Sequence, residues 1–194
     1  MADSLLLTLI RHGKAEKDSL SGKDEDRQLK PRGVKQAHFL GNTLAALPAE
    51  RRPDVILASP VTRAAETARI IAQLARVPLK FHNQLSTSSN HHDVMELLLD
   101  QLAGDRHRRI AIVGHNPTLE ELVYTLCRDS RGTVRSAENV RFDAMRTGMA
   151  AVLSFGEEPE IAGKAAEKST PIGLGFAPGK GTLVMCLRED WDDE

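Results

Sequence analysis

Leu5-Leu-Leu-Thr-Leu-Ile-Arg-His-Gly13 sets six mostly apolar residues against an abrupt polar end. A short apolar run stopped by a glycine reads as a strand buried on both faces, as in a parallel sheet. Arg11 and His12 then fall at the strand's carboxyl end, the edge where open α/β sheets bind ligands. Arg11 brings a planar fork of donors that fits phosphate. His12 brings an imidazole that can attack or take a proton near neutral pH. Gly13 allows a tight turn and a close backbone approach.

The same unit recurs twice. Asp54-Val-Ile-Leu-Ala58 is a second apolar strand, followed by Ser59-Pro-Val-Thr-Arg63 and a helix with Ala64, Ala68, Ile71 and Leu74 on one face. Arg63 thus sits at a helix start just past a strand, where guanidinium and helix dipole both favour an anion. Ile110-Ala-Ile-Val113 is a third strand, ending in Gly114-His-Asn-Pro117. Asn116 is expected to cap the next helix and Pro117 to open it. Leu119, Leu122, Val123 and Leu126 then face the core. Parallel strands joined by right-handed crossovers have their carboxyl ends on one edge. Arg11, His12, Arg63 and His115 are therefore expected to converge.

The intervening segments are plainer. Glu16 to Lys30 is a polar loop, and long loops inside compact domains often carry function. Pro31 opens a helix that buries Ala37, Leu40, Leu44 and Leu47. Pro78 to Phe81 reads as a short strand. His91 to Leu102 reads as a helix facing inward through Met95, Leu98, Leu99 and Leu102, with His91 and His92 as solvated loop histidines near its start. Arg106-His-Arg-Arg109 is a basic cluster without interleaved aromatics, so it reads as a turn and not as a nucleic-acid patch. Gly148 to Phe155 and Gly181 to Leu187 read as strands. The 156–180 segment between them is rich in Gly and Pro and reads as a mobile insertion. The acidic tail, 189–194, reads as solvated.

Composition bounds the rest. The 194 residues suffice for one compact domain, 1–194, and neither an internal repeat nor a linker divides them. Hydrophobic content of 41% with 27% charged residues is ordinary for a globular protein, and a net charge of −1 gives no field to recruit nucleic acid or an anionic membrane. Cys127 and Cys186 have no zinc or CxxC spacing and read as reduced thiols. No apolar run nears the ~20 residues of a membrane span. A cytoplasmic protein is expected, with a three-layer α/β/α fold around a mainly parallel sheet.

Two arginines and two histidines at one sheet edge suit phosphoryl transfer through imidazole. One histidine attacks phosphorus, while the guanidiniums and a second, imidazolium ring hold the equatorial oxygens. Such a site needs no metal and no cofactor.

Leu9-Ile-Arg-His-Gly13, Ser59-Pro-Val-Thr-Arg-Ala-Ala-Glu-Thr-Ala68 and Gly114-His-Asn-Pro117 resemble the three signatures of the histidine phosphatase superfamily, which includes phosphoglycerate mutases and acid phosphatases. The short chain and Asp26-Arg-Gln-Leu-Lys-Pro-Arg-Gly33 look most like its SixA branch of phosphohistidine phosphatases, whose wording is closer to Asp-x-x-Arg-Pro-Leu-Thr-x-x-Gly. The resemblance covers about residues 5–155. It implies a phosphoglycerate mutase-like fold, His12 as nucleophile, Arg11, Arg63 and His115 as the rest of the phosphate pocket, and Arg27 at its rim. It also implies a phosphorylated substrate, with a phosphohistidine-bearing protein as the candidate partner. The chain departs from many relatives in having no carboxylate around Gln84-Leu-Ser-Thr-Ser88, where a general acid often stands, and in its long 156–180 segment. A small-molecule phosphomonoesterase is the alternative. A metal-dependent hydrolase using His12, His91, His92 and His115 is a third reading, weakened by the lack of HExxH-type spacing.

Overall fold

The computed structural model describes residues 5–103, 107–156 and 176–189. Strands β1 (Leu5–Arg11), β2 (Val55–Ala58), β3 (Leu79–Phe81) and β4 (Arg109–Gly114) are parallel. Two further strands, β5 (Ala150–Phe155) and β6 (Thr182–Leu187), extend the sheet antiparallel beyond β1. The order is β3-β2-β4-β1-β5-β6. The sheet is thus mixed, with its three site-bearing strands adjacent and parallel.

Alternation along each strand feeds two cores, as the period of two requires. Leu5, Leu7 and Leu9 of β1, Val55 and Leu57 of β2, and Ile110 and Ile112 of β4 point to one face. Ile10, Ile56, Ala58, Ala111 and Val113 point to the other. Helices α1 (Pro31–Ala46) and α2 (Thr62–Ala75) cover the second face. Helices α3 (His91–Ala103) and α4 (Thr118–Cys127) cover the first. This is the expected three-layer α/β/α arrangement.

Local readings differ in two places. The inward face of α3 is Val94, Leu97, Leu98 and Leu102, while Met95 is only partly buried and Leu99 is exposed. Both faces fit a 3.6 period, and packing against Leu119 and Leu122 of α4 selects the former. Asn116 is not a cap. Pro117 takes the cap position before Thr118, and the Asn116 side chain instead donates to Met145 O (3.0 Å) and Glu120 (3.1 Å). The basic cluster also does structural work. Arg109 donates to Arg52 O at 2.7 Å and pairs with Asp54, tying β4 to the entry of β2. Arg106, most of the 156–180 segment and most of the acidic tail lie outside the described residues.

Cys127 is buried and Cys186 partly so, and both are free thiols. Burial pushes the Cys127 thiol up to about 12, so it is inert. No helix among the described residues is long and apolar enough to cross a membrane.

Candidate active site

The turn after β1 is locked by backbone contacts. His12 N–H donates to Gly114 O at 3.1 Å, and Gly148 N–H donates to His12 O at 3.0 Å. Gly13 N–H donates to Thr67 Oγ1 (3.1 Å), whose hydroxyl donates to Arg63 O (2.7 Å). The Arg-His-Gly turn is thereby stapled to the first turns of α2. Gly13 serves a close approach to α1 rather than to a ligand: a Cβ there would lie 2.5 Å from Gly33 O. Gly33 is tighter still, since its Cβ would meet Lys14 O at 2.1 Å. Gln36 completes the joint, accepting from Lys14 N–H (2.9 Å) and donating to Thr147 O (3.0 Å).

His12, Arg63 and His115 are buried, and Arg11 is partly buried. The hydrogen bonds define the His12 tautomer. Nδ1 lies 2.7 Å from Gly13 O, which can only accept, so Nδ1 carries the proton. Nε2 then presents its lone pair, and Arg63 Nε–H donates to it at 3.3 Å. Burial, with help from Arg63 and Arg11, lowers the His12 pKa to about 4, so the ring is neutral at neutral pH.

The His115 ring lies 5.2 Å from that of His12, centroid to centroid, and its Nε2 is 2.9 Å from Ser59 Oγ. Burial first, then the neighbouring His12 and Arg63, lowers its pKa to about 3. The expectation of an imidazolium is therefore corrected: in this protein His115 is neutral. A bound dianion would supply the opposite charge that raises it. Arg11 donates to Met145 O at 2.7 Å, and its desolvation lowers its own pKa somewhat against the pull of Glu120.

These four residues line a cavity of about 450 Å³ whose rim includes Lys14, Glu16, Lys17, Arg27 and Lys30. The rim segments are held together. Ala15 and Leu29 form an antiparallel bridge, Lys30 N–H donates to Lys14 O (2.8 Å), and Leu29 N–H donates to Glu66 (2.7 Å). Arg27 reaches the site through Asp24. The Asp24 carboxylate takes 3.0 Å from Arg63 Nη2 and 2.6 Å from Arg27 Nη1, while its backbone carbonyl takes 2.8 Å from Arg63 Nη1. Burial is the largest single influence on the Asp24 carboxyl and pushes it up, but Arg63 and Arg27 together outweigh it, through charge and hydrogen bonds, and hold it below the usual range. Sequence reading does not reach Asp24, although the spacing Asp24-x-x-Arg27 repeats the SixA wording. Ser59 opens the second signature, but nothing in the sequence pairs it with His115, and the Met145 carbonyl carries no sequence signal.

The loop after β3 contributes Thr87 to the cavity, and no carboxylate. His91 lies 3.3 Å from Glu121 and stacks near His92 (4.1 Å between centroids), outside the cavity lining. Among the described residues no three His, Cys, Asp or Glu are placed to hold a metal ion, so the four-histidine metal site is not assembled.

Residues 7–91 match the model of the histidine phosphatase superfamily, branch 1. An uncharacterized protein of Mycobacterium tuberculosis is 29% identical over 154 residues, covering 78% of this chain and 91% of that one. A chain assigned as the phosphohistidine phosphatase SixA of Nakamurella multipartitia superposes with a TM-score of 0.59 at 27% identity, covering 78% of this chain and 85% of that one. A protein histidine phosphatase SixA solved with tungstate shares the fold over 95% of this chain and 97% of its own, with a TM-score of 0.65 at 19% identity. In sequence over residues 7–91, and in fold across most of its length, the chain is similar to the histidine phosphatase superfamily.

Proposed function

We propose that the protein is a phosphatase of the SixA type, hydrolysing phosphohistidine through a phosphoenzyme formed on His12. The observation that supports this most is the His12 ring: neutral, with Nδ1–H pinned on Gly13 O and the Nε2 lone pair directed at the Arg63 guanidinium. That lone pair attacks phosphorus, forming an N–P bond as the bond to the leaving group breaks. Arg63, Arg11 and His115 stabilise the charge on the equatorial oxygens. Arg11 Nε and His115 Nδ1 are buried polar atoms without a hydrogen-bond partner among the described residues, which suits oxygens brought by a substrate. Water then attacks the phosphoimidazole, the N–P bond breaks, and inorganic phosphate leaves with His12 neutral again. No step in this cycle calls on a metal or cofactor.

The alternative, a small-molecule phosphomonoesterase, is favoured by one feature. Glu16 lines the cavity and could protonate an alkoxide leaving group, though it sits 3.5 Å from Lys30 in an ion pair.

The test is turnover of a phosphohistidine protein, p-nitrophenyl phosphate and sugar phosphates with chelator present. Acid-quenched enzyme should retain label that is acid-labile and alkali-stable. His12→Ala should lose both turnover and label. Full activity in His12→Ala would refute the assignment.

A further inference from the structure

The cavity is more cationic and larger than a phosphoryl group requires. Arg11, Lys14, Lys17, Arg27, Lys30 and Arg63 line it, against Glu16 within it and Asp24 beside it. A phosphoryl group brings at most two negative charges. A volume of about 450 Å³ lies in the range of whole small-ligand pockets, roughly 300–1,000 Å³.

The cations are not equivalent. Arg63 and Arg27 share the Asp24 carboxylate, and Lys30 is paired with Glu16 at 3.5 Å. Lys14 and Lys17 have no ion-pair partner among the described residues, yet both face the cavity. Lys14 is held by its backbone on both sides: its N–H donates to Gln36 and its carbonyl accepts from Lys30. This fixes its backbone one residue past Gly13, from which its exposed side chain lines the cavity. Leaving two ammonium groups unpaired around an already cationic cavity costs self-repulsion, which a bound anion relieves.

We propose that Lys14 and Lys17 form a subsite for a second anionic group, carboxylate or phosphate, carried by the substrate next to its scissile phosphoryl group. This rests on the phosphatase reading, because it takes the His12 end of the cavity as the phosphoryl end. The second anion could come from an acidic side chain flanking a phosphorylated residue of a protein, or from a small molecule bearing both groups.

Binding of non-hydrolysable probes tests this without turnover. Calorimetry would compare phosphonoacetate, 3-phosphonopropionate and 4-phosphonobutyrate with alkylphosphonates of equal length. At least one carboxylate-bearing probe should bind about tenfold more tightly than its alkyl counterpart. That ratio should fall to near one in Lys14→Gln/Lys17→Gln, be retained in Lys14→Arg/Lys17→Arg, and shrink with added salt. A ratio near one at every length in the wild type overturns the subsite, as does a ratio that survives the double Gln variant. Peptides carrying a stable phosphohistidine analogue flanked by Glu or by Gln identify the source. Tighter binding of the Glu peptide points to protein, and a preference confined to the phosphonates points to a small molecule. Absence of all phosphatase turnover, with the ratio intact, would overturn the phosphatase reading and leave the anion subsite standing.

Discussion

Arg63 Nε lies 3.3 Å from His12 Nε2, so the guanidinium proposed to hold a phosphoryl oxygen also meets the nitrogen proposed to attack it. The two residues are 51 positions apart and follow β1 and β2, which flank β4 on either side, at one edge of the sheet. Arg63→Ala removes both effects. Losing one preorganised donor of this kind typically costs about 3–4 kcal/mol, or ~10²–10³ in kcat. Arg63→Lys should recover little, because one ammonium cannot reach His12, the Asp24 carbonyl and the Asp24 carboxylate at once. Tungstate or vanadate should inhibit the wild type and bind Arg63→Ala poorly. Equal inhibition of the two would place Arg63 outside the phosphoryl site.

Asp24 braces that guanidinium from outside. Its side chain is 60% exposed, so the ion pair is screened and its loss is modest. Asp24→Asn should lower kcat by ~2–5-fold, in line with an exposed pair of under about 1 kcal/mol. It should also tighten inhibition by inorganic phosphate, since a negative charge beside the pocket has gone. Steady-state kinetics with phosphate as inhibitor reads both. A variant in which both quantities stay put would show that Arg63 is positioned without Asp24.

Protonation offers a separate check. Both site histidines have folded pKa values below the ordinary 6.5, about 4 for His12 and about 3 for His115. As pH falls the unfolded chain takes up these protons first. The stability associated with the neutral rings is complete above pH 6.5, is lost as pH falls, and is gone below about 4 and 3 respectively. For His12 the full loss is about 3 kcal/mol. Urea midpoints should therefore drop between pH 6.5 and 4, and the drop should be shallower in His115→Gln. The same neutrality predicts proton uptake when phosphate binds, visible as a buffer-dependent binding enthalpy. Ring resonances of His12 and His115 that titrate near 6.5 in the free protein would contradict the burial argument.

The joint behind the nucleophile is sterically closed. Gly33→Ala would set a methyl 2.1 Å from Lys14 O, a backbone atom that cannot swing aside. Overpacking of this sort costs ~1–3 kcal/mol, and the displaced turn carries His12. Lower urea stability together with lower kcat is expected. A variant as stable and active as wild type would mean that α1 can slide off the Arg-His-Gly turn.

Much of the fold is legible in the sequence. β1, β2 and β4 announce themselves because strands covered on both faces are continuously apolar, and their polar ends mark one sheet edge. Hence Arg11, His12, Arg63 and His115 were legible from three separated segments. Asp24 was not, because its role comes from a loop folding back onto Arg63, 39 residues away. Asn116 looked like a cap because its residue type fits one, but Met145 O and Glu120 claim its side chain. The neutrality of His115 depends on burial and on its neighbours across the cavity, which linear spacing does not encode. The antiparallel β5 and β6 are legible as strands but not in direction, since apolar runs carry no polarity.

The absence of an acid in the loop after β3 bears on substrate. A phosphate ester of an alkyl alcohol needs its leaving oxygen protonated, since alkoxide leaves poorly. Thr87 is that loop's contribution to the cavity, and it cannot serve at neutral pH. Asp24 is held ionised by Arg63 and Arg27, which makes it a poor donor. A phosphoimidazole is different: its N–P bond is weak, and imidazole can be protonated from solvent near neutral pH. Positioning and charge stabilisation then suffice. Rates should depend steeply on the leaving group, with phosphohistidine and p-nitrophenyl phosphate turning over and phosphoserine and glycerol phosphates poor. Across aryl phosphates of graded phenol pKa, log kcat/KM should fall clearly as the phenol becomes more basic. Glu16→Gln should leave that slope unchanged, because Glu16 is engaged with Lys30. A flat dependence with chemistry rate-limiting, turning steep in Glu16→Gln, would instead make Glu16 the general acid and the protein a phosphomonoesterase.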